Sequence, residues 1–410
     1  MGYFLITLSL FITSIFFIVI SMFGLSYMGQ SSGSPLFLIT VLSVNIGALA
    51  YIFFYELRHN RSAQGSIKPY FIPLLLLGCY YFEKMFILTG NTTQSFSTFK
   101  DVIAITTLGI WVGTFCYRYD KFKEIAKNME LIMFISTIGI VMALPTMFLS
   151  SLGPSIGGAG DHQILSYMSA LAFGTSAYRY FENPDSGYRL FRNTLYHKLT
   201  IVIMLIQALL SMIGGGRGGF VLLLAIAFFS ALSLQMNAKR LLFGAFIVFV
   251  VMLIIGNLSG ISEISGSIDR VFSIFSSTKA EDIDSERDRL YKTAWDLFSD
   301  SPILGYGIYK QYDLCILKAD LPYWHNLFLD FLLQGGIILF AIGTTIVVKV
   351  VKRMWFLVKK VHGHLMLLSL ALYPFVMLMF SGTYLTNAPF WFVVTYVLGY
   401  YRNYCLIRRL

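Results

Sequence analysis

The chain has 410 residues, of which 57% are hydrophobic and 16% aromatic, yet only 13% are charged and the formal net charge is +10. A soluble domain devotes about a quarter of its residues to charges, so this chain could not cover a water-facing surface, and a soluble globular protein is excluded. A nucleic-acid binder is excluded with it, because such proteins present Lys and Arg on a solvated face.

A membrane-crossing helix needs about 20 mostly apolar residues. Twelve runs are candidates, at 3–26, 35–57, 69–88, 102–119, 130–151, 163–178, 199–213, 218–236, 241–258, 326–350, 365–381 and 389–407. The first is long and lacks a small-residue cleavage site, so it reads as a retained span rather than a signal peptide. The expected fold is an all-α polytopic integral membrane protein of about twelve transmembrane helices. Cys79, Cys116 and Cys405 fall within apolar runs and Cys315 has no obvious partner, so the four cysteines read as small apolar residues rather than a disulfide framework.

Lys and Arg accumulate in short cytoplasmic loops. Alternate connections are rich in them: Arg58, Arg61 and Lys68; Arg118, Lys121, Lys123 and Lys127; Arg179, Arg189, Arg192 and Lys198; Lys239 and Arg240; Lys349, Lys352, Arg353, Lys359 and Lys360; and finally Arg402, Arg408 and Arg409. The five short loops on the other side hold only Lys100 and Arg217. Both termini are therefore expected in the cytoplasm.

One connection breaks the pattern. Residues 259–324 form a polar outer loop of 66 residues with eleven acids against seven bases, a net charge of −4. Structureless loops beyond about 15 residues are uncommon unless functional. Within it, Arg289 to Phe298 has aromatic and aliphatic residues at helical spacing and stops before Ser301-Pro302. An outer subdomain with an amphipathic helix lying against the membrane is expected. The chain divides into a nine-helix membrane region at 1–258, the outer loop at 259–324 and a three-helix membrane region at 325–410. It shows no internal repeat, so a transporter built from two equivalent halves finds no support.

Several residues could carry chemistry. Glu83 and Lys84 are charges inside the third span, which either pair locally or mark a substrate path. Asp161-His162 opens the sixth span after a Gly-rich outer loop. Arg217 is the most anomalous, set in Gly214-Gly215-Gly216-Arg217-Gly218-Gly219 between two apolar runs. Glycines admit close backbone approach and a helix start attracts anions, while a guanidinium matches a phosphate bidentately. The alternative is a tight hairpin whose Arg snorkels to the interface. In the outer loop, Glu286-Arg287-Asp288-Arg289 offers two cations ahead of Tyr291 and Trp295; they either clamp an anion or pair with their acidic neighbours. Asp282 and Asp284 form a DxD within an acidic run, but the glycine of a calcium loop is missing, and no metal site is assigned. Trp324-His325-Asn326 begins the tenth span, where the positive end of a helix would keep an imidazole neutral and fit to act as a base. A capping or interfacial histidine is the alternative.

Three of these items stand in order: the glycine-flanked Arg217; then Arg287, Tyr291 and Pro302-Ile303-Leu304-Gly305-Tyr306-Gly307 in a large outer loop; then His325-Asn326 opening a span that reaches Gly335. This arrangement resembles the O-antigen polymerase and O-antigen ligase family of bacterial envelope glycosyltransferases, most clearly over about residues 205–340. Two departures stand out: Gly216 where a Ser or Thr often precedes the arginine, and no second glycine in Gly336-Ile337-Ile338-Leu339. The resemblance implies an enzyme of the bacterial cytoplasmic membrane, acting on its outer face upon oligosaccharides linked to undecaprenyl diphosphate, as both donor and acceptor. It implies Arg217 and Arg287 on the diphosphate and His325 deprotonating or orienting the acceptor hydroxyl. Arg289, Asn326, Tyr291, Asp161 and His162 would be further substrate-binding residues. No cofactor or metal is called for, membrane lipid is a partner, and a chain-length regulator protein is a possible one. His325-Asn326-Leu327-Phe328-Leu329-Asp330 looks more like polymerases, for O-antigen or capsule, than like ligases, which transfer glycan to lipid A core. A lipid-linked oligosaccharide flippase is the alternative of another class. It would need the cations but no base, and it fits poorly with so large an outer loop.

Overall fold

The computed structural model describes residues 2–23, 35–59, 71–87, 102–149, 159–182, 188–213, 217–234, 280–319, 323–360 and 365–407. Thirteen α-helices run through these residues, with no strand among them: α1 (Gly2–Met22), α2 (Pro35–His59), α3 (Phe71–Phe86), α4 (Thr107–Tyr119, entered through a π-helical turn at Val102–Thr106), α5 (Phe122–Leu149), α6 (Ala159–Glu182), α7 (Thr194–Ile213), α8 (Arg217–Ser233), α9 (Ala280–Asp300), α10 (Lys310–Ala319), α11 (Leu327–Lys360), α12 (Leu365–Phe380) and α13 (Ala388–Ile407). Eleven of the twelve apolar runs fall on helices. The run at 241–258 and loop positions 259–279 lie outside the described residues. Within the described residues, α1, α7, α11 and stretches of α2 and α5 are long and apolar enough to cross a membrane, and the chain is an integral membrane protein.

Several helices exceed the stretches that predict them, among them α11, which continues past 350 to Lys360. α5 starts at Phe122, so Lys123 and Lys127 sit on a helical extension rather than in a loop. α9 starts at Ala280 and takes in the acidic run, which is therefore helical.

The chain divides into two compact units. The first comprises Met1–Ala48, Phe122–Ser277 and Leu357–Val376. Here α1 packs on α5, α5 on α6, and α6 on both α7 and α8. Arg179, counted from the sequence among the cytoplasmic loop charges, is instead buried, 3.0 Å from Glu130 of α5, with Phe191 and Tyr196 each 5.4 Å from its guanidinium. A buried ion pair is costly to break from one side, so this one fastens α5 to α6.

The second unit comprises Leu49–Lys121, Thr278–Phe356 and Met377–Leu410. α4 packs along α13, and the π-helical turn before α4 meets α3. The helices of the connection 280–324, α9 and α10, have a core of their own. Leu290, Ala294 and Leu297, at helical spacing on α9, bury against Cys315 and Ala319 of α10, Trp324, and Leu333 of α11. The amphipathic helix expected at 289–298 is thus present, but its apolar seam, expected against the membrane, packs on α10, Trp324 and α11 instead.

Candidate active site

In the first unit, Arg217 is the first residue of α8, and Asp161 and His162 lie in the first turn of α6. Gly214, Gly215 and Gly216 lie outside the described residues, as do the side chains of these three. The backbone nevertheless shows why the site is built from glycine. A Cβ on Gly219 would stand 1.9 Å from Ser166 Oγ, so only glycine lets α8 cross α6 this closely. The Ser166 hydroxyl donates to the carbonyl of Ser211 on α7, and the Ser211 hydroxyl donates to the Gly219 carbonyl at 3.1 Å. That contact is two residues from Arg217 and four from His162. The first turns of α6 and α8 therefore lie within two helical turns of one shared crossing, fixed by side-chain to backbone hydrogen bonds.

The second unit holds Arg287, Arg289, Tyr291, His325 and Asn326. Arg287 lies on α9, with its side chain outside the described residues. Arg289 and Tyr291 are exposed on α9, flanking Leu290 of its buried seam on either side. His325 departs from expectation in an informative way. It does not open the helix: α11 begins at Leu327, and Asn326 is the cap, its Oδ1 accepting from the N–H groups of Phe328 at 2.9 Å and Leu329 at 3.4 Å. His325 precedes the cap with φ +54°, a left-handed conformation that costs a non-glycine residue about 1 kcal/mol or more and that persists where the surroundings over-determine it.

Those surroundings are specific. Trp324 is fully buried, and its indole N–H donates to the Gln311 side-chain carbonyl on α10. Tyr323 lies with its ring 4.4 Å from the imidazole. His325 Nδ1 is 2.8 Å from the Phe380 carbonyl oxygen. A carbonyl only accepts, so Nδ1 carries the proton, and in the neutral ring the basic lone pair resides on Nε2. The imidazole is partly exposed, and this bond defines its orientation and tautomer.

The segment that supplies the Phe380 carbonyl is itself held by a buried polar network that the sequence reading missed. Asp330, one turn into α11, lies beside Thr383, whose hydroxyl bonds the Tyr312 hydroxyl. The Tyr384 hydroxyl donates to the Gln334 side chain, whose amide N–H donates to Tyr312 at 3.4 Å. Burial, reinforced by the charge of Asp330, pushes the phenols of Tyr312 and Tyr384 well above their usual range, which keeps both as proton donors. Asp330 Oδ1 is buried without a hydrogen-bond partner among the described residues. One signal was available in the sequence: Asp330 and Gln334 are polar residues four apart in an apolar span, and intramembrane ionisable groups warrant a functional reading.

Glu83 resolves differently from the substrate-path reading. Its buried carboxylate accepts from three consecutive N–H groups, Ile308 at 2.6 Å, Tyr309 at 2.8 Å and Lys310 at 3.2 Å. It caps the start of α10 and ties the outer loop to α3.

No curated protein matches the chain. Residues 200–344 match the family model described as O-Antigen ligase, a stretch that takes in Arg217, Arg287, Arg289, Tyr291, His325 and Asn326 and leaves out Asp161 and His162. Over that stretch, about a third of its length, the chain is similar to the O-antigen ligase family.

Proposed function

We propose that the protein is a glycosyltransferase that polymerises undecaprenyl-diphosphate-linked oligosaccharide repeat units of an O-antigen or capsule on the outer face of the bacterial cytoplasmic membrane. The observation that carries this reading is the oriented imidazole of His325. A flippase needs cations but no base, whereas His325 has a fixed tautomer, a left-handed backbone and a lone pair on Nε2.

In the reaction, Nε2 takes the proton of the acceptor hydroxyl as that oxygen attacks the anomeric carbon of the donor glycan. The bond from that carbon to the diphosphate oxygen breaks, and undecaprenyl diphosphate leaves. Negative charge grows on the leaving oxygens, and fixed cations there act where they count most. We assign that charge to Arg217 and Arg287. Guanidinium groups supply it without a metal, and attack opposite the leaving group makes the transfer inverting. Asn326, Arg289, Tyr291, Asp161 and His162 are assigned to substrate binding. The nine-helix region at 1–258 and the three-helix region at 325–410 then form the membrane body, with loop 259–324 completing the site and both termini in the cytoplasm. A chain-length regulator protein is assigned as a partner of such a polymerase.

Transfer of the finished glycan to lipid A core is the second reading, favoured by the ligase description of the matched family. His325→Ala tests the proposal in a strain lacking the native protein. Surface glycans are expected to fall to a single repeat on the core. Chains of normal length would refute the base, and loss of even the single repeat would indicate a ligase.

A further inference from the structure

Helix α11 is interrupted inside its apolar stretch. Gly335 (φ −137°, ψ 25°) and Gly336 (φ 58°, ψ −156°) leave helical geometry, which frees backbone groups that an unbroken helix would pair. The outer-loop segment Pro302–Gly307 pairs them. Tyr306 N–H donates to the Leu333 carbonyl at 2.8 Å, Gly307 N–H to the Gln334 carbonyl at 2.9 Å, and Ile337 N–H to the Pro302 carbonyl at 2.9 Å. A Cβ on Gly336 would stand 2.2 Å from the Ile303 carbonyl oxygen.

Two features gauge the depth of this contact. Gly336 lies nine residues past Leu327, about 13 Å down a helix rising 1.5 Å per residue. On α3, Glu83 holds the N–H groups of residues 308–310 from one turn inside Ile87, whose carbonyl is 3.5 Å from Lys310 Nζ, while the Tyr309 hydroxyl reaches the Leu76 carbonyl two turns deeper, at 3.2 Å. Both place the segment below the outer ends of the helices that hold it.

Its chemistry matches that depth. Pro302 to Tyr309 carries no charge. Six consecutive N–H groups are satisfied within the protein: Gly305 by the Ser301 carbonyl, Tyr306 and Gly307 by α11, and Ile308, Tyr309 and Lys310 by Glu83. A loop in water has no need of this, but backbone at hydrocarbon depth does. Ile303 and Leu304 are nonetheless 61% and 73% exposed, beside Ile337 and Ile338 at 50% and 48% on the outward face of α11.

We propose that Pro302–Tyr309 is a re-entrant segment, inserted from the outer face into the bilayer, with Ile303 and Leu304 covered by lipid hydrocarbon. The occupant follows from continuity: their apolar surface adjoins the face that α11, a candidate span, turns outward. The inference is independent of the reaction assigned above.

Spin labels test it in protein reconstituted into phospholipid vesicles, in a background lacking Cys79 and Cys405, the two cysteines that are not buried. Labels are placed at Leu304→Cys, Ile303→Cys and Ile338→Cys, with Ser299→Cys on α9 as the aqueous control. Because Ile303 and Leu304 point outward, the labels should not disturb packing. Dissolved oxygen is expected to relax the labels at 303, 304 and 338 several-fold more than a water-soluble nickel chelate, with the order reversed at 299. Relaxation at 303 and 304 dominated by nickel would place the segment in water and overturn the proposal. Shielding from both reagents would show protein, such as a second copy of the chain, covering it and would overturn the proposal equally.

Discussion

At the residue scale, three polar residues do three separate jobs in this chain, and each has its own test. Arg217 opens α8 at a crossing that only glycine permits, and its proposed work requires a planar fork rather than a point charge. Arg217→Lys is therefore expected to keep the protein folded and abundant while lowering glycan chain extension by tenfold or more, the loss of about 1.4 kcal/mol of transition-state stabilisation. Full activity would indicate that the residue only snorkels. Glu83 does structural work. Its carboxylate accepts three backbone N–H bonds, and hydrogen bonds to charged groups are worth about 1.5–3 kcal/mol each. Glu83→Ala should cost about 3 kcal/mol or more in thermal unfolding of the detergent-solubilised protein. Glu83→Gln, which keeps one acceptor oxygen, should fall between the two, and an unchanged midpoint for Glu83→Ala would contradict the capping role. His325 does the proposed chemistry, through an orientation given by one backbone carbonyl.

At the element scale, the decisive feature is that α11 breaks and an outer-loop segment fills the break. Gly336 occupies a backbone region essentially restricted to glycine, and its missing side chain leaves room for the Ile303 carbonyl. Gly336→Ala should destabilise the protein by about 2 kcal/mol or more, read as a lowered unfolding midpoint; a wild-type midpoint would mean that the segment does not sit in the break. The helices were legible for the eleven apolar runs that fall on described residues, since an apolar run of that length can hardly do anything else in a membrane. The acidic start of α9 was not, since Ala280 to Asp288 lacks apolar periodicity, and the spacing becomes visible only at Leu290. Nor was the polar network around Asp330. Its neighbour Thr383 is 53 positions away in the sequence, Glu83 lies more than 220 positions from the N–H groups it caps, and no local pattern announces such pairings. The candidate residues around His325 were legible as a motif, but the sequence put His325 at the helix start, whereas Asn326 takes that place and His325 bends back to the Phe380 carbonyl.

For the whole molecule, the net charge of +10 separates into an outer loop at −4 and a remainder at +14. The remainder is mostly the loop charge from which topology was read, with exceptions such as Arg179, which is buried in an ion pair. On the topology expected from the sequence, the proposed cations Arg217 and Arg287 would belong to the small set on the side where positive charge is scarce, as expected if they serve a substrate rather than orientation. The central claim is that one protein, without a metal, joins lipid-linked repeat units to one another. The most direct measurement incubates the purified protein with an undecaprenyl-diphosphate-linked repeat unit alone, in the presence of a divalent-ion chelator, and resolves the products by size. A ladder of oligomers is predicted, absent for His325→Ala. No ladder until lipid A core is added would contradict the account in favour of a ligase, and a ladder abolished by the chelator alone would contradict its metal independence.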